Sequence, residues 1–158
     1  MLINMKKVIS YILLILWISV IFILSHQPSG VSGNISGSLI YDVFNFIYSI
    51  FNLNTSNLNN LIEMIHEPIR EVMHALEYLI LAILTMNALY QSKIKKYMLS
   101  TILFCFIYSI SDEVHQIFID GRTFQLFDLF MDFIGYMLGS LISYKLIFKN
   151  VTNEVNKI

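Results

Sequence analysis

"YQSKIKKYMLSTILFCFIYSISDEVHQIF", Tyr90 to Phe118, sets lysines, an apolar run and carboxylates in that order. Lys93, Lys95 and Lys96 precede the run, and Asp112 and Glu113 close it. A soluble helix would put its charges on one face. Here they stand at opposite ends, as in a membrane crossing with unlike surroundings at its two mouths. The strongly apolar part, Tyr97 to Ser111, is short for a span, and extension through Phe118 gives it adequate length.

The rest of the chain agrees. It has 158 residues, of which 56% are hydrophobic and only 13% charged, and a mean hydropathy of +0.67. About a quarter of a usual soluble domain is charged, and a soluble protein this short could not hide so much Leu, Ile and Phe. Three further spans are expected at about residues 8–24, 73–90 and 127–148, beside the one at 97–118. No small-residue cleavage site follows the first span, which therefore reads as an uncleaved signal anchor. The expected fold is an all-α, four-helix transmembrane bundle. Residues 1–150 form one domain and 151–158 a short cytoplasmic tail.

Lysine placement orients the bundle. Lys6 and Lys7 precede span one, Lys93, Lys95 and Lys96 join spans two and three, and Lys145, Lys149 and Lys157 end or follow span four. Four crossings put all of these on one side, which the positive-inside rule makes cytoplasmic, with both termini. Every acid except Glu154 then falls in the outer half. The outer connection from Ser25 to Glu71 carries an apolar stretch, Leu39 to Leu53, long enough for an interfacial or re-entrant helix. Leu58 to Arg70 reads as a second short surface helix, with Pro68 beginning or kinking the helix into span two.

The outer layer gathers the chemistry. Arg70, His74 and Glu77 share a helical face, with Glu71 beside them; so do Asp112, His115 and Gln116, with Glu113 next to them. Arg122 follows the turn at Gly121, and Asp128, Asp132, Gly135 and Gly139 continue one face of span four. Ser25 and Gln27 end span one. A charge exposed at a helix centre costs about 2.5 to 3.5 kcal/mol. These groups are therefore expected to face one another in an outward-facing polar cavity, with Arg122 neutralising Asp128 or Glu113.

Plainer readings stand beside this one. Asp128 and Asp132 can serve as structural hydrogen-bonding groups, and Arg122 as an anchor for lipid phosphates. His74 and His115 can be structural, and His26 can simply face solvent. Gly135 and Gly139 fit a close-packing patch. The donors would suit magnesium better than a transition metal, yet no specific metal motif is present. The single cysteine, Cys105, excludes an intramolecular disulfide. No basic stripe points to nucleic acid.

At these residues the chain resembles the VanZ-like family of small bacterial membrane proteins. Its Ser-x-Gln element is matched by Ser25, His26 and Gln27. Its basic-x-x-x-His-x-x-Glu-Tyr element is matched by Arg70, His74, Glu77 and Tyr78. Its acidic-x-x-Gln element with a following Gly-Arg is matched by Glu113, Gln116, Gly121 and Arg122. Its terminal Asp, Asn/Asp and two glycines are matched by Asp128, Asp132, Gly135 and Gly139. His26 stands where a smaller residue is commoner, and Asp132 where asparagine is frequent. The connection between spans one and two is unusually long and apolar.

The resemblance implies a bacterial cytoplasmic-membrane protein of the cell envelope, in a family associated with resistance to the glycopeptide teicoplanin. Three readings follow. The first is an enzyme or lipid-modifying factor acting on a phosphate-bearing outer-leaflet lipid. Its catalytic candidates are Glu77, His74, Arg122, Asp128 and Glu113; Ser25, Gln27, Arg70, Asp112, Gln116 and Asp132 complete the cluster. The second is a non-enzymatic protein that binds or shields the lipid or the antibiotic. The third is a small transporter or flippase component, which would have to form a homo-oligomer; the near absence of charge in the inner halves of the spans argues against it.

Overall fold

A computed structural model gives the chain as four long helices. It describes residues 5–28, 38, 41–43, 45, 46, 49, 50 and 58–155, with backbone only at 58–63, 66, 67 and 150–155. Helix α1 spans Met5–Ser25, α2 Leu58–Gln91, α3 Tyr97–Gln116 and α4 Leu126–Val155. Each contains a stretch long and apolar enough to cross a membrane: Met5–Ser25, Pro68–Gln91, Tyr97–Gln116 and Leu126–Lys149. The fold is all-α, as expected. Residues 41–43, 45, 46, 49 and 50 of the apolar stretch are helical; the rest of Leu39 to Leu53 lies outside the described residues.

The expected surface helix ending near Arg70 is not separate. Helix α2 runs without a break from Leu58, with Pro68 inside it. Proline removes one intrahelical hydrogen bond, that to the carbonyl four residues earlier. That residue is Met64, at an exposed position, and the helix runs on through the proline.

Burial is inverted relative to a soluble bundle. Ile12, Leu13, Leu16, Phe106, Ile107, Phe130 and Leu138 point outward. Ser10, Thr85, Thr101, Ser109, Asp112, Glu113, Gln116, Asp128, Asp132 and Ser140 are buried. Water would make that arrangement unstable, whereas hydrocarbon favours it, because polar groups must then find partners inside. The apolar core is small: Tyr78, Leu81, Ala82, Cys105 and Tyr136, with Leu14 and Ile21 of α1 against them.

Helix α2 is central and contacts the other three. Its contact with α4 is the closest. A methyl group at Gly135 would collide with the Ala75 carbonyl, and one at Gly139 with the Leu79 carbonyl. The close-packing reading of these two glycines is therefore the correct one. Helix α1 is attached by polar bonds between helices. Trp17 Nε1 donates to the Glu77 carbonyl at 3.0 Å, Asn87 Nδ2 to Ser10 Oγ at 3.0 Å, and Tyr108 OH to the Ile18 carbonyl at 3.2 Å. Tyr11 and Ser92 share a 2.9 Å hydroxyl bond.

The two tight turns sit at opposite ends. Lys93 ends α2 in the left-handed region at φ 58°, and the Ile94 amide reaches back to the Leu89 carbonyl at 3.2 Å, a helix-closing pattern that usually employs glycine. At the other end Gly121 takes φ 74°, and the Arg122 amide bonds the Ile119 carbonyl at 3.1 Å. That turn brings Arg122 back over the ends of α1 and α3.

Candidate functional site

The site is built where the N-terminal part of α2 meets α4. Close approach at Gly135 brings the preceding turns of α4 against Arg70, Glu71 and His74. Asp128 and Asp132 lie one turn apart and both face α2. His74 sits between them, with Nε2 3.8 Å from Asp128 Oδ2 and Nδ1 3.7 Å from Asp132 Oδ1. These separations exceed hydrogen-bond length, so the imidazole faces both carboxylates without bonding either. Ser109 of α3 donates to the other oxygen of Asp132 at 2.6 Å. On the far side of Asp128, Arg70 Nη2 stands 3.8 Å from Oδ1 and 3.1 Å from Glu71 Oε1. The result is one continuous row: hydroxyl, carboxylate, imidazole, carboxylate, guanidinium, carboxylate.

A second row lies on α3 and the turn after it. Gln116 Nε2 donates to Asp112 Oδ2 at 3.2 Å, and Arg122 Nη1 donates to Gln116 Oε1 at 3.2 Å. Arg122 Nε donates to the Gln27 carbonyl at 2.9 Å, which ties the segment after α1 to the turn before α4. Glu113 accepts from the Gln125 amide at 2.9 Å. The Gln125 side chain accepts from Arg70 at 3.4 Å and joins the two rows.

Arg122 is half-buried. Burial first, and the nearby Arg70 charge second, lower its pKa from the ordinary value; Asp112, Asp128 and Glu113 act in the opposite direction. An arginine stays protonated under such shifts.

Most of the sequence candidates meet here. Arg70, His74, Asp112, Glu113, Gln116, Arg122, Asp128 and Asp132 all belong to the two rows, and Gln27 enters through its carbonyl. Ser25 is buried at the end of α1, with its hydroxyl beside the Asp112 carboxylate. Glu77 lies within electrostatic reach of Asp112 and Arg122, yet its carboxylate makes no hydrogen bond or ion pair among the described residues.

The expected neutralising pairs are different. Arg122 contacts a backbone carbonyl and an amide, and Arg70 is the cation nearest Asp128. Arg122 leaves the turn toward α1, whereas Arg70 lies on the α2 face that the glycines draw to α4. His26 is exposed, as the plainer reading has it, and also meets a second ring. Its Nδ1 is 3.2 Å from His115 Nε2, and both rings stack with Phe22.

Ser109 and Gln125 were not legible as site members. Ser109 does stand three and four residues before Asp112 and Glu113, which was an available signal. Tyr78 is fully buried with its hydroxyl unpartnered among the described residues, within electrostatic reach of Asp132 and Asp112.

Access is uneven. Asp128 and Asp132 are 2% and 1% exposed, whereas the Arg70 side chain is 32% exposed and that of His74 12%. Among the described residues, no group of three or more His, Cys, Asp or Glu side chains is arranged to hold a metal ion.

Searches among curated proteins and among solved structures return no match. The VanZ/LLP1 family model matches residues 10–149, which takes in all four helices. The chain is thus a multi-pass bacterial membrane protein that belongs to the VanZ/LLP1 family, a family linked in general to the cell envelope and to antibiotic resistance.

Proposed function

We propose that this protein processes a phosphate-bearing lipid of the cell envelope at the outer face of the membrane, with both termini in the cytoplasm. The observation that carries the reading is His74, held between Asp128 and Asp132 with Arg70 beyond. An imidazole flanked by carboxylates is suited to accept and return a proton. A planar guanidinium beside it is suited to a phosphate. Arg70, partly exposed beside Asp128, is one cation, and Arg122, bonded to Gln27 and Gln116, supplies the second. Glu77 has no partner among the described residues and is a second candidate acid or base. The cytoplasmic placement of the termini rests on the lysines, which put the site in the outer half of the bilayer.

The test compares envelope lipids and cell-wall precursors by mass spectrometry in a deletion strain, wild type, and a strain expressing E77Q with R122A at wild-type level. A species that changes alike in the deletion and in the double variant is the expected result and names the substrate class. Unchanged profiles in both would overturn the catalytic reading.

The second reading, a non-enzymatic protein that binds or shields lipid or glycopeptide, is favoured by one observation. Tyr41, Val43, Phe46 and Ile50, helical residues of the outer connection, are exposed and apolar, as a docking surface for an acyl chain would be. Altered teicoplanin susceptibility with unchanged lipid profiles would select it.

A further inference from the structure

The end of the bundle away from the acidic rows has a cavity of its own. Lys95, Lys96, Tyr97, Met98, Leu99 and Ile102 line it from the start of α3, and Tyr144 from α4, around a volume of about 550 Å³. Its two sides differ in chemistry. Lys95 and Lys96 are exposed and make no ion pair among the described residues. Met98, Leu99 and Ile102 provide an apolar wall one to two turns further along. The Tyr97 and Tyr144 rings stack at 6.3 Å, and Tyr90 meets Tyr97 edge-on at 5.7 Å. Such rings prefer the level of lipid headgroups. The first turn of α3 has no side-chain cap on its amides, which adds partial positive charge beside the lysines.

Two unpaired cations above an apolar, tyrosine-edged groove complement a molecule with an anionic head and a hydrocarbon tail. Basic pockets between membrane helices on the cytoplasmic side are known to take anionic headgroups, and this volume falls in the range of small-molecule pockets. We infer that the groove between the start of α3 and Tyr144 of α4 is a binding site for an anionic phospholipid of the leaflet that borders the lysines. The phosphate lies against Lys95 and Lys96, and the first part of an acyl chain lies along Leu99 and Ile102. The site is separate from the acidic rows: from Tyr97 to Asp112 the helix rises roughly 22 Å. It stands whether or not the outer site is catalytic.

The test uses the full chain purified in detergent, with native mass spectrometry after addition of phosphatidylglycerol or of phosphatidylcholine with the same acyl chains. Wild type is expected to retain phosphatidylglycerol preferentially. Replacing both cations (K95Q with K96Q) is expected to lower retention on the order of tenfold. L99W, which fills the groove and keeps both charges, is expected to lower it as well. K145Q with K149Q, the same charge change outside the groove, is expected to leave it unaltered. Circular dichroism confirms that each variant is folded. Equal retention of the two lipids by wild type would overturn the assignment. So would full retention by folded L99W, or an equal loss in K145Q with K149Q, which would mark diffuse attraction to positive charge.

Discussion

Asp132 is held by one strong bond from Ser109 and faces His74 with its other oxygen. The two partners therefore respond differently to substitution. S109A leaves a carboxylate oxygen buried without its donor, which costs about 1–3 kcal/mol. D132N keeps an oxygen to accept from Ser109 in a side chain of nearly the same shape, so the fold is retained while the carboxyl group beside His74 is lost. Thermal unfolding in detergent is expected to show a lower midpoint for S109A and one close to wild type for D132N. Lipid profiling is expected to show D128N, which takes away the carboxylate beside His74 Nε2, behaving as a deletion. A D128N strain with a wild-type lipid profile would remove Asp128 from the chemistry.

The membership of this site was largely legible in the sequence, because charges are rare in the chain and helical spacing assigns their faces. The pairings were not. Which cation meets Asp128 depends on how closely α2 and α4 approach and on where the turn at Gly121 directs Arg122. Neither follows from spacing along one helix.

At the level of helices, the α2–α4 contact is set by two residues that have no side chain. G135L must push the helices apart against the Ala75 carbonyl, and G139L against that of Leu79. Overpacking of this kind costs about 1–3 kcal/mol or more. It also shifts Asp128 and Asp132 away from His74, so stability and lipid phenotype are expected to fall together. Helix α1 depends instead on directional bonds. W17F removes the donor to the Glu77 carbonyl and is expected to cost about 1 kcal/mol, read as a small drop in the unfolding midpoint; an unchanged midpoint would show that packing alone seats α1.

The spans themselves were legible from apolar length. Their limits were less so. Pro68 reads as a boundary on local rules, yet the helix runs on through it. The fourth helix continues to Val155, since an apolar count stops at the membrane while helical hydrogen bonding does not.

For the whole molecule, the lysines and the acids mark opposite faces, and this predicts which turns are reachable from outside. Cys105 is fully buried, so its thiol should stay silent toward a membrane-impermeant maleimide. Engineered cysteines can then be read singly. D120C, in the turn beside Gly121, is expected to react in intact cells. I94C, in the turn between α2 and α3, is expected to react only after permeabilisation. The opposite pattern would place the acidic rows in the cytoplasm and rule out an outer-leaflet substrate. The close pairing of α2 with α4 also bears on biosynthesis. Helix α2 leaves the ribosome with Arg70, His74 and Glu77 on one face, and the carboxylates that answer them follow only after α3. At typical synthesis rates of about 5–20 residues per second, the interval from the end of α2 to Asp132 is roughly two to eight seconds. For that time α2 carries a face unsuited to bulk lipid, so it must remain sheltered at the insertion machinery until α4 arrives. The bundle is thereby assembled out of sequence order, with its second and last helices joined before either is released.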